Sequence, residues 1–312
     1  MAVDANILSG FLAVYAQESL TQFIAAMPPV SMFTENFDSS IMNGGQSVTT
    51  RISNTSFSAP NNLANGWSPT TASSLAVTAT LKLQDYDFLF NELEWSTITP
   101  QVLISTFFKP MAEQMANGVI VDCLNQVTSS YFTTSLTVNS SSLFTVTGST
   151  SLQTCSTILD NLEIPIEGRY CIVTPAMYQG LTTQILPTYY YGNTSAIQEN
   201  KVQELLGFKL TRYPRFYGAS KPQGGSSYSS GDKLVGIVGN KQGLALAVRT
   251  PIDPNNGLVQ SATAIDPTSK LSLQTRMIFD VSKPGWRTAV VALWGSAAGN
   301  PNGIVELLTA SV

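Results

Sequence analysis

The sequence predicts an α+β fold for a chain of 312 residues. Two observations carry that reading. Alternating apolar and polar residues, the period of a strand, recur in two hairpin-like stretches at 44–83 and 271–294. Apolar residues at helical spacing are confined to separate runs, the longest at 99–127. No internal repeat is visible.

The first 35 residues contain no lysine or arginine. Within them the stretch 15–26 is helix-like, with Leu20, Phe23 and Ile24 at helical spacing, and Pro28-Pro29 stops it. One short apolar helix makes no core alone. Residues 1–35 therefore read as an arm that needs a partner surface, with Phe23 and Ile24 as contact candidates. The apolar run 7–16 has Asp4 where a signal peptide has positive charge, so it reads as amphipathic and intracellular.

Gly44-Gly45 opens the next segment. Residues 47–52 alternate, a polar stretch from Ser58 to Pro69 follows, and 75–83 alternate again. An excursion of about 40 residues with few core-forming side chains is uncommon in a compact domain and is usually functional. Arg51, Ile52 and Trp67 are its contact candidates, and Gly44 and Gly45 its hinge candidates.

Thr99-Pro100 supplies the hydroxyl cap and first-turn proline of a helix start. Ile104, Phe108, Met111, Met115, Val119 and Cys123 then keep one apolar face, with Pro110 expected to kink or divide the run. If continuous, this helix is about 40 Å long and reads as a spine on which sheets are laid. Beyond it, 143–146 reads as a strand and Ser149-Thr150-Ser151 as the cap of a helix through Leu162 that ends at Pro165. Residues 169–174 read as a buried strand, 175–184 as a short helix, and 202–211 as leading into a strand. The Gly/Ser-rich stretch 218–232 reads as a loop, and 234–239 and 244–248 as strands. A closing hairpin pairs 271–281 with 286–294 across Ser282-Lys283-Pro284-Gly285.

Composition narrows the function. Apolar residues make up 43 % and charged residues 12 %, roughly half the charge usage of an ordinary soluble domain. The 35 serines and 33 threonines fill the gap. The chain is too apolar for disorder and has no run of about 20 apolar residues to span a bilayer. A surface of hydroxyls and amides suits association with copies of itself, because few charges have to be desolvated. There is no histidine, which excludes Ser-His-Asp and Cys-His nucleophile systems and any His-containing metal site. Cys123, Cys155 and Cys171 are widely spaced in apolar contexts without a CxxC, and read as buried small side chains in a reducing compartment.

Charge is divided unevenly. Residues 1–168 carry 3 basic and 13 acidic side chains, and residues 169–312 carry 13 basic and 7 acidic. Pairing within one chain satisfies this pattern. So does an acidic surface of one copy meeting a basic surface of the next, the head-to-tail association that builds rings and shells. Arg212, Arg215, Arg276 and Arg287 are the cationic contact candidates. Asp85/Asp87 and Glu92/Glu94 share strand faces, as a catalytic pair would, but a solvated strand edge has the same pattern. Lys201, Lys209, Arg212 and Arg215, interleaved with Tyr213, Phe216 and Tyr217, form the best nucleic-acid candidate. A solvated strand edge explains them better at a sequence pI of 4.9. No catalytic residue, metal ligand or cofactor site is expected.

The order of parts resembles the major capsid proteins of tailed bacteriophages, with the Hong Kong 97-type fold. The likeness covers nearly the whole chain. In the family's axial domain a helix ending in "LD-x-L-x-x-P" precedes "R-x-x-V-x-P", and a "GF-x-V" strand follows. Here these read Leu159-Asp160-Asn161-Leu162-Glu163-Ile164-Pro165, Arg169-Tyr170-Cys171-Ile172-Val173-Thr174-Pro175 and Gly207-Phe208-Lys209-Leu210. The resemblance implies an arm (1–35), an extended loop (44–82) and a peripheral domain (36–43 and 83–127, with the spine helix 99–127). It further implies an axial domain (128–249), a peripheral-domain loop and hairpin (250–288), and a return to the axial domain (289–312).

It also implies a structural protein with no reaction and no cofactor. Such a chain self-assembles through hexamers and pentamers into an icosahedral head shell around double-stranded DNA, in the cytoplasm of a bacterial host, without a membrane. Decoration, scaffolding and portal proteins are the further partners this implies. Some relatives cross-link a loop lysine to a neighbour's asparagine. Between Gly44 and Leu81 this chain has Arg51 and no lysine, so a non-covalent shell is expected. The alternative is an encapsulin-like nanocompartment of the same fold around an enzyme cargo. A surface adhesin or fibre subunit is a weaker alternative, since it would show repeats and a secretion signal.

Overall fold

A computed structural model of the chain describes residues 5–41, 47–53, 74–91, 100–138, 151–180, 204–213, 233–252, 259–280, 282 and 285–309. Its helices are α1 (Ala5–Ala25), α2 (Pro100–Leu103), α3 (Lys109–Leu124) and α4 (Ser151–Asn161), with a further helical stretch at 175–180. The strands are β1 (Thr34–Ile41), β2 (Ser47–Ser53), β3 (Ser74–Thr80), β4 (Lys82–Asn91), β5 (Ser135–Val138), β6 (Arg169–Val173) and β7 (Glu204–Leu205). They continue with β8 (Phe208–Arg212), β9 (Lys233–Asn240), β10 (Leu244–Thr250), β11 (Val259–Ile265), β12 (Ser272–Asp280), β13 (Gly285–Ala298) and β14 (Ile304–Thr309).

Two six-stranded sheets organise these elements. The first runs β1-β10-β13-β12-β11, with β4 also paired to β13, and the second runs β5-β14-β9-β6-β8-β7. β13 is the hub of the first sheet. It pairs antiparallel with β4 from Gly285 to Trp294, with β12 from Gly285 to Val291, and with β10 from Leu293 to Ala298. The expected closing hairpin is the β12–β13 pair, and its turn residues Lys283 and Pro284 lie outside the described residues.

One core joins the sheets through the spine. Met115, Val119 and Cys123 of α3 are fully buried with Leu246, Val290 and Trp294 of the first sheet and Ile172 and Ile237 of the second. On the other face of the second sheet, Leu152, Cys155 and Leu159 of α4 pack on Cys171, Val173, Phe208 and Val238. All five residues of β6 are buried, as its continuous apolar run requires of a strand covered on both faces.

Pro110 does not break the spine. The segment Ile104–Phe108 between α2 and α3 is a π-turn, in which the Lys109 N–H reaches back five residues to the Ile104 carbonyl. The wider turn gives the proline ring the room that a regular helix denies it. Helical backbone therefore continues from 100 to 124, while the cap residue Thr99 lies outside the described residues.

The arm differs from its expectation. α1 starts well before Tyr15 and packs against α3, β11 and β12 of its own chain. Tyr15 stacks on Phe108 with ring centroids 4.5 Å apart, and Phe23 is buried in the main core. Phe23 is thus covered by the spine and first sheet of its own chain. Ile24 faces outward at 38 % exposure.

The base of the long hairpin is also anchored on its own body. β2 and β3 pair from Ser47↔Thr80 to Ser53↔Ser74. Val48 and Ala79 pack on Ala247, and Ile52 and Val77 on Ala245. Ile52 is therefore a footing of the hairpin and not a surface contact. The alternation expected through 75–83 is two strands, since β3 ends at Thr80 and β4 begins at Lys82. Gly44, Gly45 and Trp67 lie outside the described residues. So do the strand expected at 143–146, the cap residues Ser149 and Thr150, the end of the 175–184 helix and the 218–232 loop.

β10 falls within 128–249 yet pairs with β1 and β13 in the first sheet. All seven of its residues are buried, so its sequence holds no alternation that assigns it to either sheet. β13 stays in the first sheet to Ala298, and the chain enters the second sheet at β14.

β7 and β8 form a hairpin whose two-residue turn is Leu206 (φ 51°) and Gly207 (φ 78°). Positive φ at both positions is the geometry of a type I′ turn, where glycine and asparagine are at ease and leucine is strained. Leu206 is 48 % exposed and recovers little by burial. Leu206→Asn is expected to stabilise the unassembled chain by about 1 kcal/mol, read as a higher urea midpoint. A lower midpoint would show that the leucine side chain outweighs the strain.

Candidate assembly surfaces

The exposed face of the first sheet brings two of the candidate arginines together. Pairing sets Arg287 opposite Leu89, and Arg276 opposite Ala289, which in turn lies opposite Asp87. The Arg287 guanidinium donates to the Asp87 carboxylate across β13 and β4. Asp87 is thereby the ion-pair partner of Arg287. Arg276 donates to Gln274 Oε1 at 2.7 Å and to the Ile252 carbonyl at 3.1 Å. Around them lie Leu83 and Leu89, 57 % and 41 % exposed. The sequence reading passed over these two leucines, although their alternation with Asp85 and Asp87 is visible in it.

The other candidates are dispersed. Arg51, on the hairpin, lies 3.4 Å from Ser74 Oγ. Arg212 sits on the second sheet with its guanidinium 5.6 Å from the centre of the Tyr178 ring. It lines an open groove of about 1170 Å³ together with Met32, Tyr170, Lys209 and Lys241. Glu167 and Glu204 line the same groove and offset part of its positive charge. Tyr213 is buried, with its hydroxyl 3.0 Å from Asn117 Oδ1, so it offers no ring for a base to stack on. Lys201, Arg215, Phe216 and Tyr217 lie outside the described residues. The described part of this basic-aromatic stretch is a strand with solvated cations.

One buried cation holds a loop. Arg169, 4 % exposed, donates to Asp160 Oδ1 and the Ile164 carbonyl, each at 2.6 Å. It also reaches the Pro165 carbonyl and Ser156 Oγ, each at 3.2 Å. Two ion pairs, Arg169–Asp160 and Arg287–Asp87, join the acidic first half to the basic second half within one copy. Lys82–Asp122 and Lys109–Glu18 lie inside the first half. Part of the charge asymmetry is therefore satisfied intramolecularly.

Among the described residues no three His, Cys, Asp or Glu side chains gather as metal ligands, and no helix is long and apolar enough to cross a membrane. The three cysteines are unpaired and buried, and burial pushes their thiols above the ordinary range, that of Cys155 to about 12.

No family model and no curated protein matches the sequence. Solved structures do match. The capsid of the cyanophage P-SCSP1u aligns with 90 % of this chain over 87 % of its own, at a TM-score of 0.57 and 15 % identity. The mature capsid of bacteriophage PhiM1 aligns over the same shares at 0.53 and 9 % identity. The capsid of a native GTA particle aligns with 92 % of this chain over 90 % of its own, at 0.50 and 10 % identity. The two-sheet architecture about a spine helix is therefore the Hong Kong 97-type capsid fold, and this chain has it.

Proposed function

We propose that the chain is the major capsid protein of a tailed bacteriophage, a structural subunit that self-assembles through hexamers and pentamers into an icosahedral shell around double-stranded DNA. The observation that carries this reading is the likeness to a capsid subunit over 90 % of this chain and 87 % of the other. Fold alone does not set function, and the composition adds independent support. A surface poor in charge and rich in hydroxyls loses little on repeated association. Weak contacts repeated around closed rings then add as avidity. In this reading Arg51, Arg212, Arg276 and Arg287, with Ile24, meet neighbouring copies, and the shell is held without covalent cross-links. The protein resides in the virion, and decoration, scaffolding and portal proteins join it there or during assembly.

Negative-stain electron microscopy of the expressed chain is expected to show closed shells. Particles from the native source are expected to retain double-stranded DNA after nuclease treatment. Shells that hold a protein cargo and no protected DNA would replace the phage reading with a nanocompartment. A chain that stays monomeric at high concentration would overturn both.

A further inference from the structure

Among the described residues two connections lead straight from a strand of one sheet to a strand of the other, β9 to β10 and β13 to β14. They are built alike. Asn240-Lys241-Gln242-Gly243 makes the first and Asn300-Pro301-Asn302-Gly303 the second, each with a single 3-10 turn. In each the leading asparagine accepts, through Oδ1, from the backbone N–H two residues on, at 3.2 Å and 3.0 Å. Each then releases the chain into a strand at nearly the same angles, φ −132° and ψ 140° at Leu244, φ −134° and ψ 137° at Ile304.

The two turns lie side by side. β9 and β14 pair up to Gly239↔Ile304, and β10 and β13 pair from Leu244↔Ala298, so one two-stranded ribbon runs through both sheets and bends once. At the bend the turns bond to each other. The Gly299 N–H donates to the Gly243 carbonyl and the Asn300 N–H to the Gln242 carbonyl, each at 2.8 Å. The approach leaves no room for side chains. A Cβ on Gly239 would stand 2.5 Å from the Gly303 carbonyl oxygen, and one on Gly299 would collide with that of Gln242.

A ribbon whose two strands bend at one level is a hinge when the bend is free to open. Here the bend is bonded across, and the body braces it from outside. Thr34 Oγ1 of β1 donates to the Lys241 carbonyl at 2.7 Å, and the Tyr131 hydroxyl to the Gly299 carbonyl at 2.6 Å. Asn240 Nδ2 ties the first turn to the Pro165 and Glu167 carbonyls.

We propose that the paired turns are a locked joint, which holds the two sheets at one angle so that they move as a single rigid body. In a shell the angle between contact patches on one body sets the angle between neighbours, so this joint sets the curvature. The curvature part rests on the shell-forming reading, and the lock does not.

Hydrogen exchange of the unassembled chain reads the lock. The Gly299 and Asn300 amides are expected to exchange within about tenfold of the slowest amides in the β10–β13 ladder. Faster exchange than that means that the bend opens by itself, and overturns the proposal. Gly299→Ala then tests the curvature, because its Cβ drives the turns apart. With a circular dichroism spectrum like that of wild type, this variant is expected to assemble into shells of changed diameter or into open sheets. Closed shells of wild-type diameter overturn the link to curvature, whereas a merely structural glycine would lower the urea midpoint and leave the diameter alone. Should Gly299→Ala fail to fold, exchange in the wild-type chain still decides the lock. If the wild-type chain forms no particles, the shell reading falls, and exchange decides the lock in that case too.

Discussion

Arg169→Met is expected to destabilise the unassembled chain by about 2–3 kcal/mol, the loss of several hydrogen bonds made by one buried guanidinium. The arginine gathers four acceptors: Ser156 Oγ and Asp160 Oδ1 on α4, and the carbonyls of Ile164 and Pro165 in the segment between α4 and β6. That segment is held in unusual backbone, with Glu163 at φ 58° and Gly168 at φ 76°. Asn240 supports it from β9, donating to the Pro165 and Glu167 carbonyls at 2.9 and 2.6 Å. Methionine fills much of the volume but donates nothing, so the buried Ile164 carbonyl loses its donor while the exposed Asp160 and Pro165 can turn to water.

The Coulombic part is the smaller one. The Asp160 side chain is 53 % exposed, and Asp160→Asn is expected to cost no more than about 1 kcal/mol. Arg169→Lys falls between, since a single ammonium cannot span the fork. Urea unfolding of the three variants checks the ranking. Equal losses for Arg169→Met and Asp160→Asn would transfer the effect to the ion pair.

That clasp also shows how far the sequence could be read. Arg169 stands in the run Arg169–Pro175 that resembles a family motif, so its importance was visible, but its partners were not. Three of the four acceptors lie on residues whose types suggest no common site, and only the turn after α4 brings them together. The same division holds across the fold. β6, α4, the spine and the closing hairpin were legible because each carries a period or a bounded apolar run. β1, β11 and β14 were not, for they are short or weakly patterned and take their strand character from neighbours. The setting of α1 is not legible for a physical reason. An apolar helix at a chain end looks alike whether its partner is another copy or its own spine, and only coordinates separate Phe23 from Ile24. Of the contact candidates, pattern could find charge, as at Arg276 and Arg287, but could not foresee that Asp87 already accepts from Arg287.

Trp294→Ala is expected to cost about 3–5 kcal/mol by loss of burial and the cavity left behind. Trp294 is among the largest fully buried side chains and lies on the inner face of β13, where the first sheet meets the spine. The indole N–H donates to Asp122 Oδ2 at 3.0 Å, Lys82 Nζ lies 3.7 Å from the same oxygen, and Ser296 Oγ donates to the Asp122 carbonyl at 3.0 Å. One side chain thus joins β13 and α3 by packing and, through Asp122, to the start of β4 by charge.

Trp294→Phe separates the two contributions. It keeps an aromatic ring in the core and removes the indole donor, and Asp122 retains Lys82 and partial access to water. Its expected cost is about 1–2 kcal/mol beyond the small change in volume. If packing joins the sheet to the spine, the alanine variant unfolds at markedly lower urea than the phenylalanine one. Equal losses would place the whole effect in the bond to Asp122 and sink the packing argument. In that case Asp122→Asn, which keeps an acceptor for the indole, should recover little of its charge-assisted strength and fall close to both.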